Sequence, residues 1–256
     1  MDLLSVVLLA IIEGITEFLP VSSTGHMILA SALMKLENTE YLKTFEIVIQ
    51  LGAILAVLML YIKRFLVSAD IYLKLLVAFL PTGIIGFLAY KTIKTYLFNP
   101  ISVSAALIIG GVVLIVLDKW SDEKKSKYER AEDISFSDAI KIGLFQCLSM
   151  IPGVSRAAAT IFGGIFSGFD RKLATEFSFL LAIPTMFAAS GLDLFQSRES
   201  IHSDDVYLLL AGAGIAFSFA MLAVKAFIAF VQVFGFKYFG YYRIILGVLF
   251  LYSFYF

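Results

Sequence analysis

Residues 13–26 read EGITEFLPVSSTGH and residues 146–160 read QCLSMIPGVSRAAAT, and both stretches place polar side chains inside long apolar sequence. Ionisable residues at membrane depth cost free energy unless they face a cavity, a partner or a ligand. Two such interruptions at corresponding positions of a chain are typical of one shared site in a protein built from repeats. These stretches are therefore the candidate functional segments.

The composition predicts an integral membrane protein. Of the 256 residues, 60% are hydrophobic, 16% are charged and 25 are Phe, whereas ordinary soluble domains are about 45–50% apolar. A helix needs roughly 17–25 apolar residues to cross a bilayer. Six segments of that kind predict an all-α, polytopic fold: residues 45–62, 71–90, 101–118, 173–195, 206–231 and 238–256.

Charge and cysteine content exclude other classes. The formal net charge is zero and no basic block occurs, so a nucleic-acid partner is not expected. The single cysteine, Cys147, rules out an intramolecular disulfide and argues against a thiolate-bound metal. The first apolar segment begins with Asp2 and contains Glu13, unlike a signal peptide. We therefore expect that segment to be retained.

An internal duplication organises the chain. Aligning Ser22 with Ser155 places Glu13 opposite Gln146 and Pro20 near Pro152. Each half then contains a broken apolar segment followed by three spans, and an odd number of crossings inverts the second half. We predict one membrane domain with a first repeat at 1–118, a linker at 119–137 and a second, inverted repeat at 138–256.

The broken segments are too short to cross. Residues 3–18 would extend only ~24 Å as a helix, less than the ~30 Å hydrocarbon core. We therefore predict two re-entrant helical hairpins whose tips meet and enclose a polar pocket. The predicted loops on one side hold more Lys and Arg, which makes that side cytoplasmic. The first hairpin then enters from the extracytoplasmic side, and the linker is a solvated cytoplasmic loop.

Glu13 and Glu17 are four residues apart, so they share one face of a helix. A hard divalent cation takes such oxygen ligands, and Mg²⁺ in particular binds through one or two carboxylates together with phosphate oxygens. Alternatively, one glutamate is protonated and acts as an acid or base. A surface pair at a helix end is the third interpretation.

Hydroxyl groups and a histidine follow directly. Ser22, Ser23 and Thr24 can contact a phosphate group or cap the next helix. His26 is the candidate general base or proton shuttle, since the chain has one other histidine, His202, in a polar stretch.

The second stretch supplies a cation. Ser155 and Arg156 follow a glycine turn, and arginine is suited to bidentate recognition of phosphate. The helix beginning near Ala157 would direct its N-terminal N–H groups towards an anion. The alternative is that Arg156 forms an ion pair with Glu46 or Glu176 inside the bundle.

These motifs, together with FEIVIQLG at residues 45–52 and EFSFL at residues 176–180, resemble the undecaprenyl pyrophosphate phosphatase family, also called bacitracin-resistance proteins, over nearly the whole chain. The resemblance implies an inner-membrane enzyme that uses a divalent metal such as Mg²⁺ or Ca²⁺. It would convert the C55 polyprenyl diphosphate lipid to the monophosphate carrier for peptidoglycan synthesis, and so confer bacitracin resistance. It also implies a pocket open to the periplasm, the inverted-repeat fold and a homodimer.

The family's functional positions are carried over to motif residues of this chain. They are Glu13 and Glu17 for metal; Glu17, Ser23, His26 and Arg156 for catalysis; and Ser22, Thr24, Ser155, Arg156, Thr160 and Arg243 for phosphate. Arg243 could instead snorkel to the interface. The chain departs from the family at Ala157 and Ala158, where a hydroxyl and a glycine are usual.

We therefore hypothesise metal-assisted phosphoryl transfer. Arg156 neutralises the phosphoryl charge, and either Ser23 or water attacks while His26 takes the proton. Two other classes remain open on the residues alone. A polyprenyl-phosphate transporter or flippase would move lipid without releasing phosphate, and a structural scaffold would need none of these side chains.

Overall fold

The computed structural model describes residues 1–67, 69–97, 99–121, 126–196 and 206–255. These residues form ten α-helices and two short 3₁₀ helices and contain no strand, which confirms the predicted all-α class. The α-helices are α1 Leu3–Thr16, α2 Ser23–Leu33, α3 Glu40–Val67, α4 Ala69–Leu97, α5 Pro100–Ser121, α6 Phe136–Gln146, α7 Arg156–Phe166, α8 Arg171–Gln196, α9 Val206–Phe234 and α10 Lys237–Tyr255. The 3₁₀ helices are Ala131–Asp133 and Cys147–Met150.

Five of these helices are long and apolar enough to cross a membrane: α3, α4, α5, α8 and α9. Only 22% to 50% of the most apolar stretch of each is buried inside the protein, and large apolar side chains such as Phe87 and Leu88 point outwards. An apolar outer surface of this extent requires lipid. The protein is therefore a multi-pass membrane protein.

The sixth predicted span corresponds to α10. Its 19 residues measure about 28 Å at 1.5 Å per residue. It is not among the five most apolar long helices, because it carries several tyrosines and Arg243. Phe256, at the end of the predicted span 238–256, lies outside the described residues.

Four short helices form two pairs, α1 with α2 and α6 with α7. Helix α1 has 14 residues and the other three have 11, so they reach about 21 Å and 16 Å, well short of a ~30 Å core. Each pair packs on a long helix that follows the other pair. Helix α1 packs on α9, the second long helix after the second pair, and α6 packs on α4, the second long helix after the first pair. The inverted orientation of the two repeats stays a prediction.

Part of the predicted linker is buried in the protein. Ala131 and Ile134 have no exposed surface and belong to the main hydrophobic core, and the Glu132 carboxylate accepts hydrogen bonds from Arg64. The prediction of a simply solvated loop is therefore wrong for Ala131 and Ile134, because the many charges around them mask these two core positions. Within the linker, residues 122–125 lie outside the described part of the chain, as does His202.

Candidate active site

The two hairpin tips have a similar local backbone. Ser22 and Ser155 both have a left-handed φ, 71° and 74°, and each is the N-cap of the next helix. Ser22 Oγ accepts from the Gly25 N–H at 3.3 Å, and Ser155 Oγ accepts from the Ala158 N–H at 3.2 Å. These hydroxyls satisfy helix N-termini. The capping alternative therefore holds for Ser22, and Ser155 has the same role.

Arg243 holds the two tips together. Its side chain has no exposed surface. It donates five hydrogen bonds of 2.8–3.4 Å to backbone carbonyls, those of Pro20 in the first tip, Gly153 and Val154 in the second, and Ala106 and Leu107 in α5. The structure thus gives Arg243 a structural role, and its predicted phosphate contact stays a prediction. The snorkelling alternative is wrong, because the guanidinium is fully buried.

Gly153 makes this contact sterically possible. Its φ is +94°, and a Cβ at this position would lie 2.6 Å from the Val103 carbonyl oxygen of α5. Only glycine fits both conditions without strain. The second tip can therefore lie directly on α5, within reach of Arg243.

Arg156 and Glu17 meet between the tips. Arg156 Nη2 donates to Glu17 Oε1 at 3.2 Å, and Nη1 donates to the Ser178 carbonyl at 3.1 Å. The two side chains are only 10% and 6% exposed, and the guanidinium lies 5.5 Å from the centre of the Phe18 ring. The alternative partner Glu176 pairs with an arginine of α3 instead. One donor, Arg156 Nε, is buried without a hydrogen-bond partner.

Ser23 is the hydroxyl in contact with this pair. Its Oγ donates to Glu17 Oε2 at 2.5 Å. The Glu17 carboxylate therefore lies between a hydroxyl of the first hairpin and a guanidinium of the second, with one oxygen on each. In this arrangement Glu17 is the group placed to accept a proton from Ser23.

His26 contacts neither Ser23 nor Glu17 directly. Its Nδ1 lies 2.8 Å from the Ser22 carbonyl oxygen and its Nε2 lies 2.6 Å from the Tyr242 hydroxyl. Since a carbonyl can only accept, Nδ1 carries the hydrogen and Nε2 accepts from Tyr242. The direct proton transfer from Ser23 to His26 in our hypothesis therefore does not match this geometry.

Glu13 lies one helical turn before Glu17 and is 3% exposed. Its carboxylate contacts that of Glu17 and interacts electrostatically with Glu46 of α3. Glu13, Glu17 and Glu46 thus form a group of three neighbouring carboxyl side chains. Among the described residues, no three His, Cys, Asp or Glu side chains form a ready metal cage. Two carboxylates completed by phosphate oxygens would still suit Mg²⁺.

The remaining predicted site residues differ in solvent exposure. Thr24 is exposed on the first turn of α2. Thr160 is 1% exposed, donates to the Arg156 carbonyl at 2.9 Å and shares a 2.6 Å hydrogen bond with Ser178. Ala157 and Ala158 are buried in the core, so side chains at these positions face the interior. Phosphate contacts of Ser22, Thr24, Ser155 and Thr160 stay predictions.

Three contributing residues were missed by sequence reasoning. Phe18 lies within a quoted motif, but its ring contact with Arg156 joins different hairpins. Ser178 lies in the quoted stretch at residues 176–180 and contributes its backbone carbonyl. Tyr242 directly precedes Arg243, and that adjacency was the available signal for it.

Fold and site together define a polytopic membrane protein with a glutamate, serine and arginine cluster between two short helical hairpins. The family model for the bacitracin resistance protein BacA matches residues 6–249. The chain belongs to that family. It is 51% identical to the undecaprenyl-diphosphatase of Wolinella succinogenes, with 98% of each chain covered. The corresponding proteins of Persephonella marina (50%, 98% of each) and Aquifex aeolicus (46%, 95% of each) carry the same name.

Proposed function

We propose that this protein hydrolyses undecaprenyl diphosphate to undecaprenyl phosphate and inorganic phosphate. The observation that carries the proposal is the Ser23–Glu17–Arg156 contact between the two tips, with Arg156 Nε buried and unpartnered. An orphaned buried donor on a guanidinium suits an anionic ligand oxygen. The names of the relatives supply the substrate that such a site would take.

The chemistry divides between the tips. As the attacking oxygen, of Ser23 or of a water in its place, bonds to the terminal phosphorus, its proton passes to Glu17. The P–O bond to the lipid phosphate breaks, and undecaprenyl phosphate leaves with that electron pair. If Ser23 is the nucleophile, water then releases phosphate from it. Protonation removes the Glu17 charge, so Arg156 becomes free to neutralise the phosphoryl group.

A divalent metal is part of the proposal. Glu13 and Glu17 would hold Mg²⁺ or Ca²⁺, because their carboxyl groups are buried next to each other and hard divalent cations take carboxylate oxygens as ligands. When bound, the cation would neutralise charge on the diphosphate oxygens. This role does not depend on a third protein carboxylate.

The proposed setting is the bacterial inner membrane. There the pocket would open to the periplasm. The product would return to the carrier pool for peptidoglycan synthesis, and this recycling would confer bacitracin resistance. A homodimer belongs to the same proposal. It rests on the family resemblance, and crosslinking in native membranes tests it.

Phosphate release from purified protein and a polyprenyl diphosphate in detergent tests the function. Wild type should release phosphate, a chelator should stop it, and Glu17→Gln should be inactive. Glu37→Gln, in an exposed loop, is the matched control and should behave as wild type. Lipid movement between leaflets without phosphate release would instead identify a transporter.

A further inference from the structure

We propose that Tyr242 is a positioning residue that holds the His26 imidazole in one tautomer and one orientation at the first hairpin tip. Its effect on turnover rests on the proposed function, but its effect on the imidazole does not. Tyr242 directly precedes Arg243, but no role was assigned to this tyrosine from the sequence.

The geometry leaves the imidazole little freedom. The Tyr242 O–H donates to Nε2 at 2.6 Å, and the two rings are stacked with centroids 5.6 Å apart and planes 5° apart. On the other side, Nδ1–H donates to the Ser22 carbonyl. A ring flip would place carbon atoms against both partners. Both hydrogen bonds would then be lost at once.

Each contact is anchored by a different part of the fold. The Ser22 carbonyl belongs to the left-handed turn that caps α2, while Tyr242 lies on α10 next to Arg243. Since Arg243 binds carbonyls of both tips, one helix sets the position of the tips and the orientation of His26. Burial lowers the pKa of His26, and the nearby Arg243 cation adds to this effect, so the neutral ring is favoured over the imidazolium. Tyr242 and Arg243 are the titratable or charged groups found to face it.

The consequence is a defined place for the basic nitrogen. His26 is half-buried and Tyr242 is 45% exposed, so Nε2 is directed towards the open side of the tip rather than towards Ser23. Without the hydroxyl, the stacked ring would remain but nothing would select the Nδ1–H tautomer. His26, predicted as a proton shuttle, would then have its basic nitrogen misplaced in part of the molecules.

Nitrogen NMR on ¹⁵N-histidine-labelled protein tests the geometry directly, because the chain has two histidines and His202→Gln leaves only His26. We expect a protonated Nδ1 and an unprotonated, hydrogen-bonded Nε2. Tyr242→Phe should shift the Nε2 signal and add the second tautomer, while Tyr241→Phe, the exposed neighbouring control, should change neither. A protonated Nε2 in the unsubstituted site, or an unchanged signal in Tyr242→Phe, would overturn the proposal.

Kinetics test the consequence. General acid or base groups contribute about 10²–10⁴-fold, so an indirect loss of about tenfold in kcat, with KM within about twofold, is expected for Tyr242→Phe. In a His26→Ala background the same change should have no further effect, since the tyrosine acts through the histidine. Equal losses in both backgrounds, or a silent His26→Ala, would overturn it. Wild type that releases no phosphate would refute the proposed function and leave the NMR result standing.

Discussion

The two hairpin tips share a backbone but not a chemistry. Both turn at a serine of left-handed φ that caps the following helix. The first then presents Glu17, Ser23 and His26, and the second presents Arg156 followed by three alanines. Neither tip contains a complete site. The first tip thus supplies the anion and Ser23, the second supplies the cation, and contact between them creates the cluster.

The second hairpin has a neutral residue at the position that the predicted alignment places opposite Glu13. Gln146 aligns with Glu13 and is fully buried, where it donates to Thr82 at 2.9 Å and to Thr185 at 3.2 Å. A neutral amide in a satisfied network needs no counter-ion. The buried carboxylates at the tips therefore come from the first hairpin, and a divalent cation would be expected on that side alone.

The largest effect should follow loss of the charge that the second tip supplies. Arg156→Ala should lower kcat by about 10³-fold or more, the range for arginines that stabilise phosphoryl transfer. Arg156→Lys should lose less, because it keeps the charge but not the fork. Initial rates of phosphate release measure both, and expression with unchanged unfolding temperature is the control. If the alanine variant were as active as the lysine variant, the claim that the second tip supplies the catalytic positive charge would be contradicted.

The second largest effect should follow from replacing Arg243, whose side chain joins the two tips. Arg243→Lys cannot replace five hydrogen bonds with three donors, so at least two buried carbonyls lose their partner at a cost of about 1–3 kcal/mol each. We expect a lower unfolding temperature in detergent and a lower kcat together. Arg130→Lys, which is 57% exposed, is the matched control. Full stability of Arg243→Lys would show that the tips meet without this residue.

Ser22 and Ser155 cap their helices in the same way, so their hydroxyls should contribute equally to the stability of the folded protein. Ser22→Ala and Ser155→Ala each remove one N-cap hydroxyl and should each cost about 1 kcal/mol. Ser→Gly at either position should cost less, because glycine accepts the left-handed φ. Thermal unfolding of the four variants measures this. Stability losses that differ by more than about 1 kcal/mol between the alanine variants would mean that the two turns are not equivalent.

The smallest effect concerns the entry of the second hairpin. Burial by itself would raise the pKa of Asp138, but hydrogen bonds from Lys127, Lys141 and Tyr128 outweigh it and hold that pKa well below its usual range. A depressed pKa in the folded state stabilises above the unfolded value of about 3.9, and this contribution is lost as the pH falls through the folded value.

Asp138→Asn should therefore lower stability at neutral pH by about 0.5–1 kcal/mol, since both lysines are half exposed and water screens the two ion pairs. The difference from wild type should shrink below pH 4. Unfolding temperatures recorded against pH measure it. A difference that is constant down to acid pH would contradict the ionic origin.

The sequence predicts the long helices from the length of the apolar segments. It predicts the meeting of the tips from the two polar interruptions. Glu17, Ser23 and Arg156 were assigned from their motifs, and the structure brings them into contact. The roles of Arg243 and Tyr242 were not predicted, because their partners lie more than 80 residues away and a tyrosine on an apolar helix carries no pattern. His26 was assigned to the proton of Ser23 from proximity in sequence, but the N-cap turn directs its ring elsewhere. Long-range carbonyl contacts and ring orientation depend on packing, which periodicity does not encode.

The most direct test of one site shared between two tips is a double-mutant cycle on phosphate release with Glu17→Asp, Arg156→Lys and the double variant, substitutions chosen to retain measurable rates. Residues in contact that act as a unit are non-additive. We expect the double variant to be only slightly slower than the slower single variant. If the two losses simply multiply, Glu17 and Arg156 act independently and the shared site is contradicted.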